Sequence, residues 1–150
     1  MNINRHVSRV TTLAVGTAAA AAMAVSPASA ATNWKEVNTN ATWKCEPTMQ
    51  HSVYPGVGFQ GCVVMNAQGD AQVVLVVTNN GPKGVRLGGS IASGFGSSTT
   101  CADSVLNPGF TRGCFAPTKH VTPGYVYESR VTVKVNDSVQ HGRSLLTARG

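Results

Sequence analysis

The sequence predicts an all-β chain, an antiparallel β-sandwich of about seven short strands stapled by two disulfides and preceded by a cleavable leader. Three observations predict it. Apolar residues recur with a period of two, turn residues punctuate the chain at short intervals, and four cysteines follow an export leader. Beyond the leader no segment carries a capped apolar stripe at the helical spacing of 3.6.

The leader is residues 1–30. Arg5 and Arg9 give a basic start, residues 10–25 are almost wholly Ala, Val, Thr and Leu, and Ala28-Ser29-Ala30 is an A-x-A cleavage signal after the break at Ser26-Pro27. The apolar stretch falls short of the ~20 residues of a spanning helix, and no cysteine follows the cleavage site to take a lipid. The expected mature chain, residues 31–150, is one β-sandwich domain, secreted, monomeric and without a membrane anchor. Losing Arg5 and Arg9 leaves ten basic against six acidic residues, a net charge of +4. These charges are scattered, with no basic run or interleaved aromatics, so nucleic acid is not an expected partner. Attraction to anionic wall polymers or phospholipid is expected to be weak.

Residues 35–45 alternate, with Val37, Ala41, Trp43 and Cys45 on one face and Glu36, Asn38, Asn40, Thr42 and Lys44 on the other, as a half-buried strand requires. Tyr54-Pro55-Gly56 opens a Pro/Gly loop that carries Tyr54 and Phe59. The run Val73-Val74-Leu75-Val76-Val77, bounded by Gly69-Asp70 and Asn79-Asn80-Gly81, is apolar on both faces and predicts a central strand covered on each side. Val85, Leu87 and Ile91 alternate with Arg86 and Ser90 in the next strand. Residues 102–106 read as a short helical turn at the start of the second cysteine loop. Late in the chain Tyr125, Tyr127, Val131, Val133 and Val135 oppose Glu128, Arg130, Thr132 and Lys134, a strand with one wet face. Gly94-Phe95-Gly96, Asn107-Pro108-Gly109, Pro123-Gly124 and Asn136-Asp137 supply the corners.

Four cysteines in an exported chain read as two disulfides. Cys45–Cys62 and Cys101–Cys114 are favoured because each closes a short Gly- and Pro-bearing loop, and the other pairings stay open. With no C-x-x-C pair, neither a metal nor another cofactor is expected. His51, His120 and His141 fit no G-x-S-x-G or H-E-x-x-H pattern, and most carboxylates fall on turns or wet faces. No catalytic residue is assigned.

Trp43 is expected in the core. Trp34, on the opposite face, is freer, and with Tyr54 and Phe59 it forms a candidate aromatic contact surface; Phe110 and Arg112, near the end of the Cys101–Cys114 loop, form a second. These residues point to a non-catalytic binding or structural module for a cell-wall polymer, a carbohydrate or another extracellular protein.

The stretch VVLVVTNNGPKGVRL resembles the strand-turn-strand of the Ig-like domains of the cell-adhesion-related CARDB-type class, in which a valine-rich strand ends in T-N-N-G-P. LNPGFTRGCF and VTPGYVYESRVTVKV are similar to the Pro-Gly turns that lead into later strands of such domains. The resemblance implies an immunoglobulin-like sandwich. Those domains are usually tandem and cysteine-free, whereas this chain is single and carries four cysteines. As a whole it also resembles the small secreted proteins of actinobacteria.

The alternative is an inhibitor of extracellular proteases, because a rigid loop beside a disulfide is the geometry such a segment needs. Streptomyces-type subtilisin inhibitors are similar in size and disulfide number. Their C-P-M-V-Y-type reactive stretch is reproduced neither at Cys101-Ala102-Asp103 nor at Cys114-Phe115-Ala116-Pro117.

Overall fold

Period-two patterning requires two faces per strand, and the computed structural model, which describes residues 30–147, pairs those faces into two antiparallel sheets. Apart from Ala30, the expected leader and its cleavage signal lie outside the described residues. The strands are β1 (Trp34–Lys35), β2 (Trp43–Cys45), β3 (Met49–Gln50), β4 (Val57–Met65), β5 (Asp70–Asn79), β6 (Val85–Ser93), β7 (Thr99–Leu106), β8 (Thr111–Phe115), β9 (Lys119–His120), β10 (Val126–Val135) and β11 (Ser138–Thr147). Four of these eleven are two or three residues long, and the other seven build the sandwich. One sheet runs β1-β8-β5-β4-β2, with β3 also on β4 and β9 also on β5; the other runs β11-β10-β6-β7.

The apolar run predicted to be central is β5, which lies between β4 and β8. Its inward residues Val73, Leu75 and Val77 join Phe59 and Val63 of β4, Leu87 and Ile91 of β6, and Val131, Val133 and Val135 of β10 in the core between the sheets. Each such side chain contributes about 1.5–3 kcal/mol by leaving water. Val74 and Val76 face the other way, with Cys62, into a second cluster covered by Val37, Trp43, Val64 and Phe115. Trp43 meets Phe115 edge-on at 5.8 Å between ring centres. Trp43 is thus half-buried on the outer face of the larger sheet, outside the core between the sheets.

Residues 35–45 depart from the single strand that their alternation predicts. β1 pairs with β8 and β2 pairs with β4, on opposite sides of β5, so an unbroken strand cannot serve both. Between them the chain leaves the sheet plane and lays Val37 over the apolar outer face. Residues 102–106 also depart from expectation, forming the end of β7 rather than a helical turn. Leu106 points inward while Asp103, Ser104 and Val105 stay exposed, as suits an edge strand paired on one side with β6.

Both favoured disulfides are present. Cys45–Cys62 joins residues directly opposed on β2 and β4, and Cys101–Cys114 ties β7 of one sheet to β8 of the other. The N-terminal segment covers the second of these, with Thr32 bridged to Cys101 and Trp34 in register with Cys114. On the far side of the sandwich β4 and β11 approach until a β-carbon on Gly61 would lie 2.6 Å from the carbonyl oxygen of Arg143. Only glycine fits there.

Candidate functional site

Crossings between the sheets at residues 80–84 (β5 to β6) and 107–110 (β7 to β8) lie at one end of the sandwich with the Asn136-Asp137 hairpin turn of β10 and β11, beside residues 51–56 ahead of β4. Pro, Gly and Asn dominate these connections because the corners need preset or left-handed backbone, which Asn136 adopts at φ 51°.

Asn79, fully buried at the end of β5, fastens this end. Its side-chain amide donates to the carbonyls of Lys83 at 2.8 Å and Leu106 at 2.9 Å, and its side-chain oxygen accepts the Gly81 N–H at 2.9 Å. Its backbone N–H donates to the Phe110 carbonyl at 3.0 Å, and its own carbonyl accepts the Gly109 N–H at 2.7 Å. The side chain therefore fixes residues 80–84 to the end of β7, and the backbone of the same residue holds residues 107–110. The loop before β4 joins them through backbone alone, since Asn80 N–H donates to the Gly56 carbonyl at 2.8 Å. A β-carbon on Gly56 would lie 2.8 Å from the Cα of Gly81, so glycine permits the approach.

His51 sets the rim. Its ring is fully buried, and Nδ1 accepts the N–H groups of Val53 at 3.3 Å and Tyr54 at 3.2 Å, which places the ring proton on Nε2. The Tyr54 ring packs against it with centres 5.5 Å apart. Ser52 N–H donates to the side-chain oxygen of Gln140 at 2.7 Å and ties the same loop to β11.

Between the loops lies a groove of about 370 Å³ whose walls include Val53, Tyr54, Pro55, Pro82, Lys83 and Val85. Its lining holds one cation, Lys83, and no carboxylate. Such a surface takes an apolar group with a negative charge beside it.

Three of the five expected contact residues lie at this end, on two separate surfaces, with Phe110 and Arg112 outside the groove beside Val105, Leu106 and Asn107. Tyr54 lines the groove, while Phe110, 47% exposed, carries the Arg112 guanidinium 4.9 Å above its ring. Phe59 is a correction: it is 1% exposed inside β4, because inward-facing positions continue down to Val57 and the Pro/Gly loop ends earlier than expected. Trp34 is a second correction. It is half-buried at the β1 edge and donates its ring N–H to the Ala102 carbonyl at 2.7 Å, so it bridges the two sheets and shares no surface with Tyr54. Nothing in the sequence marks Asn79 or His51 as organisers of the site, and the T-N-N-G-P turn is its one visible signal.

At the opposite end His120 Nδ1 donates to Asp70 Oδ1 at 3.1 Å, and both side chains are exposed. This hydrogen bond, with a second from Asn66, holds the Asp70 carboxyl below its ordinary value of 3.8. A carboxyl depressed in the folded state adds stability above its unfolded pKa and loses it as pH falls through the folded value. We expect the acid limb of a stability-against-pH curve below about pH 4 to flatten in Asp70→Asn. Thermal melts across that range check it, and an unchanged limb would contradict the bond's role.

No protein-family model, no curated protein and no solved structure matches the chain.

Proposed function

We infer that this chain is a secreted, monomeric, non-catalytic binding module that engages another extracellular protein through the groove at its loop end. The carrying observation is the fixation of that groove's walls by the buried side chains of Asn79 and His51. Loops held in one conformation lose little entropy on binding. Export is supported by the leader and by two disulfides, which persist in oxidising compartments. No helix among the described residues is long and apolar enough to cross a membrane.

The strand order supports an immunoglobulin-like architecture. β4-β5-β8 facing β11-β10-β6-β7 follows the succession A-B-E against G-F-C with one added strand, and β5–β6 and β10–β11 then occupy the positions of the B–C and F–G loops. Loops at that end carry recognition in variable domains. The T-N-N-G-P stretch that suggested CARDB-type domains forms the first of them.

Catalysis draws no support from the placement of the histidines. His51 is enclosed behind the rim, His141 lies on the outer face of the smaller sheet, and His120 pairs with Asp70 in the open at the far end. The inhibitor reading needs a convex, extended loop beside a cysteine. Residues 107–110 instead close a tight turn, with Phe110 N–H donating to the Asn107 carbonyl at 3.3 Å.

A photo-crosslinking residue at Val53, which is 59% exposed on the groove, tests the reading. Incubation with the producing cells' envelope and medium is expected to give a discrete protein adduct that Tyr54→Ala abolishes. The same probe at Val126, 66% exposed and away from the groove, should not give it. Equal adducts at both positions, or none at Val53, would remove the proposal.

A further inference from the structure

We propose that the outward face of the β10–β11 hairpin is a second binding site, which grips a linear polymer of phosphate groups through Arg130 and Arg143. The two arginines are direct cross-strand partners, one on β10 and one on β11, and both are exposed. Neither forms an ion pair among the described residues. On the same sheet Arg86 is matched by Asp137 at 2.9 Å and Lys134 by Asp103 at 3.0 Å. Elsewhere in the described registers no two cations face each other across a strand pair.

Like charges directly opposed across a strand pair destabilise the pair. A neutral residue at either position would avoid that cost. Two guanidinium forks side by side converge their N–H donors on one tetrahedral oxoanion, which relieves the repulsion and satisfies both forks. Arg130's other partner, on β6, is Ala92, whose small side chain leaves the approach open. Glu128 shares this face two residues away on β10 and pairs with neither arginine among the described residues. His141, two residues from Arg143, is held through Nδ1 by the Thr132 hydroxyl at 2.9 Å.

A single phosphate on an open sheet in water is held weakly. A polymer repeats the contact. From Arg130 the face continues about 13 Å along β10 to Lys134, whose exposed pairing with Asp103 exchanges readily for a polymer phosphate. The groove at the loop end takes no part.

Fluorescein-labelled inorganic polyphosphate, titrated with the mature protein by anisotropy across a salt series, tests the assignment. At about 50 mM salt the Arg130→Ala/Arg143→Ala variant is expected to bind about tenfold more weakly, with a log–log salt slope shallower by about 1.4. Arg130→Lys/Arg143→Lys should keep most of the slope. Because the alanine variant sheds a repulsion, its melting temperature should hold or rise, which separates lost binding from lost fold. Unchanged affinity and slope in that variant overturn the proposal. Orthophosphate competing as well per phosphate as the polymer also overturns it, as does tighter capture by phosphatidylglycerol vesicles than by polyphosphate. Val53→Asp should leave polyphosphate binding unchanged, so failure here and failure of the groove are read independently.

Discussion

Asn79→Ala is expected to lower the free energy of unfolding by about 3 kcal/mol and the melting temperature by about 12 °C. Three side-chain hydrogen bonds vanish together, each with a net contribution of about 1 kcal/mol. The Leu106 carbonyl, whose bond to Asn79 is buried, loses that partner. Asn79→Asp separates the bonds, since a carboxylate still accepts from Gly81 N–H but cannot donate to Lys83 or Leu106. Burying that carboxylate against two carbonyl oxygens adds a cost of its own, so its loss should equal or exceed that of alanine. Urea titration measures both, and a loss under 1 kcal/mol in each variant would show that Asn79 does not hold the loops.

Cys101→Ala/Cys114→Ala is expected to cost about 4 kcal/mol. The sulfurs close a 13-residue separation, for which the chain-entropy relation gives about 3 kcal/mol. The remainder is packing, because Cys101 and Cys114 are 3% and 0% exposed and Ala leaves both sides of the core underfilled. Cys45→Ala/Cys62→Ala opens a similar separation of 17 on the outer face, where Cys62 is buried but Cys45 is exposed, so packing is lost on one side alone and the loss should stay closer to the entropic value of about 3 kcal/mol. The same asymmetry sets the order of reduction. A thiolate reaches the Cys45 sulfur first, and mass mapping under limiting reductant should find the Cys101–Cys114 bridge intact when the other is open.

Which parts were legible in the sequence follows from what each strand faces. Residues 73–77 and 126–135 announce themselves because their inward positions meet a full layer of apolar side chains. β11 does not. Its inward positions include Gly142 and the buried Ser144, since β4 comes so close that a β-carbon on Gly142 would lie 3.0 Å from the Phe59 ring. Small residues replace apolar ones there, and the period-two signal disappears. Crowding from the neighbouring strand also hid the first half of β4, where Gly58 and Gly61 flank Phe59 and look like loop. The polar end of β7 reads as a turn because an edge strand wets one side. At the site, turn-borne Tyr54 and Phe110, with Arg112 at the start of β8, stand out by residue type. Asn79 does not, because it reaches a carbonyl 27 residues away that only the folded sheets bring near.

The central claim is that the loop end is a fixed surface before any partner arrives. Native-state hydrogen exchange at the amides of Asn80, Gly81 and Gly109 tests it most directly. The account predicts all three protected in the free protein, with Gly81 losing protection in Asn79→Ala while Leu75 at the centre of β5 keeps it. Exchange of these amides at open-chain rates in the unaltered protein would contradict it.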